Sequence, residues 1–163
     1  MSENHQPNAT NIVQGGYEGA GKSFTIIASR FNDFIVGKLI EGSYDCLLRH
    51  GVTEKQIELV RVPGAWEIPA VAAKIINRKK MPDAVICLGA VIRGDTPHFD
   101  FVAAEVSKGV AQVGLHSPIP VVYGIITTDT IDQAVDRAGT KSGNRGWDAA
   151  LSALELSDLY RKL

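Results

Sequence analysis

Two hydrophobic periods alternate along the chain. Short apolar runs rich in β-branched residues recur at Phe24–Ser29, Ile57–Val62, Asp83–Ile92 and Pro120–Ile126, and each reads as a strand. Between them, apolar positions recur every three or four residues. Val36, Leu39, Ile40 and Leu47 mark one face of a helix that Asn32 is expected to cap and Arg49-His50-Gly51 to close. A second helix starts around Ala65–Pro69, with Pro69 in its first turn, and runs to about Asn77. Phe99–His116 is a third, with Val102, Ala103, Val106, Val110 and Val113 inward and Gly109 and Gly114 permitting close packing. Thr130 and Gln133 form a capping box for a fourth, Ile131–Ala138, which Gly139 ends.

The final helix, from Trp147, carries two apolar stripes. Trp147, Ala150, Leu151 and Leu154 form one; Ala153, Leu156, Tyr160 and Leu163 form the other. The second stripe is expected to face another subunit, the alternative being a helix wedged between two neighbours in its own chain. Strands alternating with helices predict an α/β fold: a three-layer α/β/α sandwich around a four-stranded parallel sheet with right-handed crossovers. Residues 1–11 read as a flexible arm, Ile12–Gln14 as a short edge strand, and 12–163 as a single domain.

Composition narrows the function. The chain has 163 residues, 45% hydrophobic and 21% charged, with a formal net charge of −1. No run of cations exceeds Lys79-Lys80, which argues against nucleic acid or an anionic membrane as main partner. Cys46 and Cys87 have no neighbours at metal-ligand spacing, and the polar N-terminus lacks the plan of a signal peptide, so a cytoplasmic protein is expected. The four histidines are scattered, so no metal site is expected.

One motif misleads. Gly16–Ser23 satisfies G-x-x-x-x-G-K-[ST], the phosphate-binding loop of nucleotide hydrolases. That loop follows a strand and opens a helix, whereas here a strand follows it. The segment is better read as a glycine-rich connector.

In a parallel sheet, ligands bind beyond the carboxyl ends of the strands. Those ends deliver Phe31-Asn32, Ala65-Trp66-Glu67, Arg93 to His98, and Tyr123 through Thr128, with Arg137, Lys141 and Arg145 following. The set offers aromatic faces, a carboxylate, a glycine turn that suits an anion, a free arginine and a histidine able to move protons near neutral pH. It suits a flat heterocycle together with a phosphorylated small molecule.

Five motifs in order then carry a resemblance: R-F-N-D, P-G-A-W-E-I-P, G-A-V-I-R-G-D-T-P-H-F, G-I-I-T-T and R-A-G-T-K-S-G-N-R-G. From about Ile12 onward the chain resembles the 6,7-dimethyl-8-ribityllumazine synthase family, transferases of the penultimate step of riboflavin biosynthesis. The resemblance implies condensation of 5-amino-6-(D-ribitylamino)uracil with L-3,4-dihydroxy-2-butanone 4-phosphate, without metal or cofactor. Phe31 would stack on the pyrimidine; Ala65, Trp66 and Glu67 would hold the ribityl chain; Ala90, Val91, Ile92 and Tyr123 would frame the ring. Asp95, Thr96 and Arg137 would bind phosphate and His98 would be the general acid/base, with Asn32, Arg145 and Asp148 as secondary candidates. Two positions depart from the family's usual pattern: Tyr123 stands where Phe is common, and Arg145 where Lys is.

The resemblance further implies a homopentamer with sites between subunits, and an N-terminal edge strand joining a neighbouring subunit. It leaves open a decamer or an icosahedral shell of twelve pentamers, with riboflavin synthase as a candidate partner. A non-catalytic lumazine or flavin carrier on the same scaffold is the alternative reading, and His98 favours the enzyme.

Overall fold

The computed structural model describes residues 11–140 and 143–163. The expected arm lies outside the described residues except for Asn11, as does Lys141. Four strands, β1 (Phe24–Ser29), β2 (Ile57–Val62), β3 (Ala84–Ile92) and β4 (Val121–Thr128), form one parallel sheet in the order β2-β1-β3-β4. Central β1 and β3 are apolar on both faces and buried along almost their whole length, as a doubly covered parallel sheet demands.

Helices α1 (Asp33–Arg49), α4 (Ile131–Arg137) and α5 (Arg145–Lys162) cover one face, and α2 (Ile68–Ile75) and α3 (His98–Leu115) the other. This division follows from the strand order. The chain steps one way from β1 to β2, then back past β1 to β3 and on to β4. Crossovers of one hand must then change face when the direction reverses. Three layers enclose two cores: Phe24, Ile26, Leu39, Leu47, Ile86 and Leu154 in one, Ile27, Ile68, Ile75, Val85 and Val106 in the other.

Several expected ends move. The second helix begins with a single 3-10 turn, Ala65–Glu67, before α2. Gly109 is required, because a Cβ there would press on Pro69 of α2 at 2.8 Å, whereas one at Gly114 would make only ordinary contacts. Thr130 Oγ1 accepts from Gln133 N as expected, but Gln133 Oε1 accepts from Asp129 N, one residue before the cap.

α5 lies in the notch between α1 and the sheet, so the intramolecular wedge is what forms. Gly146, Ala149, Ala150, Ala153, Leu154 and Ser157 make one buried face drawn from both expected stripes. Leu156 is half-buried against the core, and only Tyr160 and Leu163 of the second stripe stay exposed. Among the exposed apolar side chains, four aromatic ones stand near the strand ends: Phe31, Phe34, Trp66 and Phe101.

Among the described residues, Ile12–Gln14 pairs with no strand. The glycine-rich connector runs along α5. Gly16 N donates to Asp158 Oδ2 at 2.7 Å, and the buried Lys22 Nζ donates to Ser157 Oγ at 3.0 Å. Burial lowers the pKa of that ammonium. The lysine that would reach a nucleotide's phosphates is therefore turned inward, away from any ligand.

Candidate functional site

The sheet's switch point lies between β1 and β3, where successive connections depart in opposite directions, and a cleft opens at their carboxyl ends. Its volume is about 730 Å³, and its lining includes Phe31, Asn32, Ala65, Trp66, Ala90, Val91, Ile92, Thr96 and His98. Pro63, Gly64, Gly94, Phe99, Phe101 and Val102 complete the wall.

Each strand presents its part for a local reason. After β1, Arg30 N donates to Val62 O and Phe31 N to Pro63 O, so the ladder with β2 outlasts the strand. The chain then turns at Asn32, whose φ of 59° and ψ of 43° are left-handed. Its amide does not cap α1, as the sequence suggests, but donates to Ala90 O of β3 at 2.9 Å. Asp33 is held by an ion pair with Arg61 of β2. This tight turn leaves the Phe31 ring 71% exposed, standing over the cleft.

After β2, the 3-10 turn presents Ala65 and Trp66. Glu67 Oε2 accepts from Gly64 N at 2.8 Å, bracing the turn that shapes this wall, although Glu67 itself does not line the cleft.

After β3, Arg93 N donates to Thr128 O at 2.9 Å, carrying the pairing with β4 past the last strand residue. Gly94–Pro97 forms the loop, and His98 is the first residue of α3, exposed and on the cleft wall. Thr96 lines the cleft and Asp95 stands on the loop outside it. The first-turn N–H groups of α3 make this end of the cleft attractive to an anion. Phe101 was not among the sequence-derived candidates. It lies one helical turn after His98, and that spacing could have found it.

Four expected residues are elsewhere. Tyr123, Arg137, Arg145 and Asp148 line a separate groove of about 510 Å³ along the free edge of β4, beside α5. The Tyr123 hydroxyl has the partner it needs, Ser107 Oγ at 3.1 Å. Arg145 and Asp148 form a 3.5 Å pair on the first turn of α5. Within one chain, the cleft thus holds His98 with the exposed rings of Phe31, Trp66 and Phe101, and the groove holds Arg137. Among the described residues no three His, Cys, Asp or Glu side chains converge as a metal ion would require. No described helix is long and apolar enough to cross a membrane.

A family model described as 6,7-dimethyl-8-ribityllumazine synthase matches residues 21–161, nearly the whole chain. The chain belongs to the 6,7-dimethyl-8-ribityllumazine synthase family. The cleft at the switch point and the β4-edge groove are accordingly features of a lumazine synthase scaffold, in a family of transferases that serves riboflavin biosynthesis.

Proposed function

We propose that the protein condenses 5-amino-6-(D-ribitylamino)uracil with L-3,4-dihydroxy-2-butanone 4-phosphate, giving 6,7-dimethyl-8-ribityllumazine, phosphate and water. The observation that carries this reading is one cleft lined by an exposed aromatic ring, the backbone end of a buried strand, an anion-favouring helix start and a histidine. Phe31 stacks on the pyrimidine. Ala65 and Trp66, braced by Glu67, contact the ribityl chain, and Ala90–Ile92 border the ring. Asp95 and Thr96 receive the phosphate through their loop.

The chemistry asks for proton transfer and alignment. The aromatic amine attacks the ketone carbon, and loss of water leaves an imine. Removal of the proton on the neighbouring hydroxyl-bearing carbon expels phosphate with its bonding electrons, the resulting enol becomes a ketone, and the ribitylamino nitrogen closes the second ring on that ketone with loss of water. His98 can pass protons to the leaving oxygens and accept them from the attacking amines. Holding two substrates side by side supplies much of the remaining acceleration.

The phosphate arginine and Tyr123 lie in the other groove, so we propose that a neighbouring copy brings its β4 edge to this cleft. That copy would contribute Tyr123, Arg137, Arg145 and Asp148, in a cytoplasmic homopentamer whose unit is residues 12–163. The exposed Phe31, Phe34, Trp66 and Phe101 would be covered there. Incubating the protein with both substrates, while following lumazine absorbance and phosphate release, tests the reaction. Stoichiometric appearance of both is expected, and neither product would refute it. Sedimentation distinguishes the pentamer from a monomer or a closed shell.

A further inference from the structure

His98 is an exposed side chain on the first residue of a helix, and something must fix that turn if the ring is to transfer protons. Arg93, at the end of β3, is the nearby cation, and its chemistry alone would suit a phosphate ligand. Its guanidinium is already occupied. Nε donates to Asp129 Oδ1 at 2.8 Å, and Nη1 and Nη2 reach the Asp100 carboxylate at 3.4 and 3.3 Å. Its carbon lies 4.3 Å from the centroid of the Phe99 ring. The two carboxylates, Asp129 foremost, push its pKa further up.

The partners belong to different parts of the fold. Phe99 and Asp100 are in the first turn of α3, and Asp129 is in the connection from β4 to α4. The Asp129 backbone is itself tied to Gln133 of α4. One planar fork thus joins the end of β3, the start of α3 and the connection after β4. It also neutralises two carboxylates that would otherwise repel one another. A lysine cannot serve two carboxylates and stack on a ring with the same geometry.

We infer that Arg93 is a positioning residue that fixes the first turn of α3, and through it His98, over the cleft; it does not bind the phosphate. This rests on the proposed role of His98. Exposed ion pairs add little to global stability, so the consequence falls on the placement of the turn. A displacement of about 1 Å at a reacting group costs on the order of a hundredfold in rate.

The test uses the full-length assembled protein and the variants R93A, R93K, D129N, H98A and R93A/H98A. Arg93→Ala is expected to lower kcat about 10- to 100-fold, with KM for the phosphorylated ketone within about twofold of wild type. Arg93→Lys should recover only part of the loss, and Asp129→Asn should show a smaller fall in the same direction. In the H98A background, Arg93→Ala should cost no more than about threefold, because the group it places is gone. Full additivity, or a raised KM for the ketone at unchanged kcat, would overturn the inference.

Amide hydrogen exchange gives a readout independent of turnover. Exchange over residues 94–101 should rise in R93A while the central strands stay protected, and unchanged exchange there overturns the inference. If R93A does not assemble, D129N and D129N/H98A provide the same comparison with the guanidinium in place. A wild-type protein that makes no lumazine would refute the reaction, whereas the exchange result would still decide the role of Arg93.

Discussion

At the scale of single residues, the proposed chemistry depends on one side chain for proton movement. His98→Ala should lower turnover by about a hundredfold, the usual size of a general acid/base contribution, with assembly by sedimentation unchanged. Steady-state rates at saturating substrate check it. Both cysteines should be inert. Burial pushes the Cys46 and Cys87 thiols up to about 12, from an ordinary value of 9.0. A thiol reagent at pH 8 should therefore label the native protein only as fast as it opens. The linkage has a definite sign. Below pH about 9 the thiols are neutral in both states; between about 9 and about 12 only the unfolded chain ionises, so stability falls as pH rises through that window. Urea midpoints should show the fall, and Cys87→Ala should show less of it.

That His98 and Phe31 share one cleft was legible, because each closely follows the carboxyl end of a strand in a parallel sheet. Asn32 was not legible in the same way. Asparagine serves equally as a helix cap and as a left-handed residue, and only the Ala90 carbonyl within reach of its amide decides between them. Arg93 was visible only as a charge. Its partners come from residues 99, 100 and 129, and no spacing along the chain brings those together.

At the scale of elements, strands were read more sharply than helix starts. β1 and β2 have the expected limits: β1 is buried along its whole length, and β2, an edge strand buried only at Ile57 and Val62, stops where Pro63-Gly64 breaks it. The start of α5 was missed by two residues because its cap sits in a polar linker. Asn144 Oδ1 accepts from Gly146 N and Trp147 N, while its amide donates to Lys38 O and Ala138 O. That one side chain joins α1, the end of α4 and α5. Asn144→Ala should destabilise the fold by about 2 kcal/mol, the loss of a cap plus two carbonyl partners. Gly146→Ala should cost about 3 kcal/mol, because a Cβ there would overlap the Leu39 backbone where α5 crosses α1. Urea unfolding measures both.

At the scale of the whole molecule, the strand order places the cleft. The parallel sheet was legible from alternation, and its switch point follows from the order in which four strands pair. The two-stripe pattern of α5 is largely spent within the chain, with Tyr160 and Leu163 left exposed. Small residues from both stripes are buried within the chain because α1 and the sheet approach from two sides. The aromatic surface at the strand ends is the stronger candidate for contact between copies. Periodicity did not reveal it, since those residues lie on loops and on a helix's outer face. Arg137→Ala should raise KM for the phosphorylated ketone by about tenfold or more, the loss of a charge-assisted contact to the phosphate, as initial rates against ketone concentration would show.

The separation of His98 in the cleft from Arg137 in the β4 groove also has a genetic consequence. If the two work on one substrate pair, they come from different copies, and defects in them can be sorted apart. Chains carrying only His98→Ala and chains carrying only Arg137→Ala, unfolded together in equal amounts and reassembled, would restore activity to roughly a quarter of the sites, those where both contributors happen to be intact. Two impaired proteins would rescue one another, while a chain carrying both substitutions would gain nothing from either.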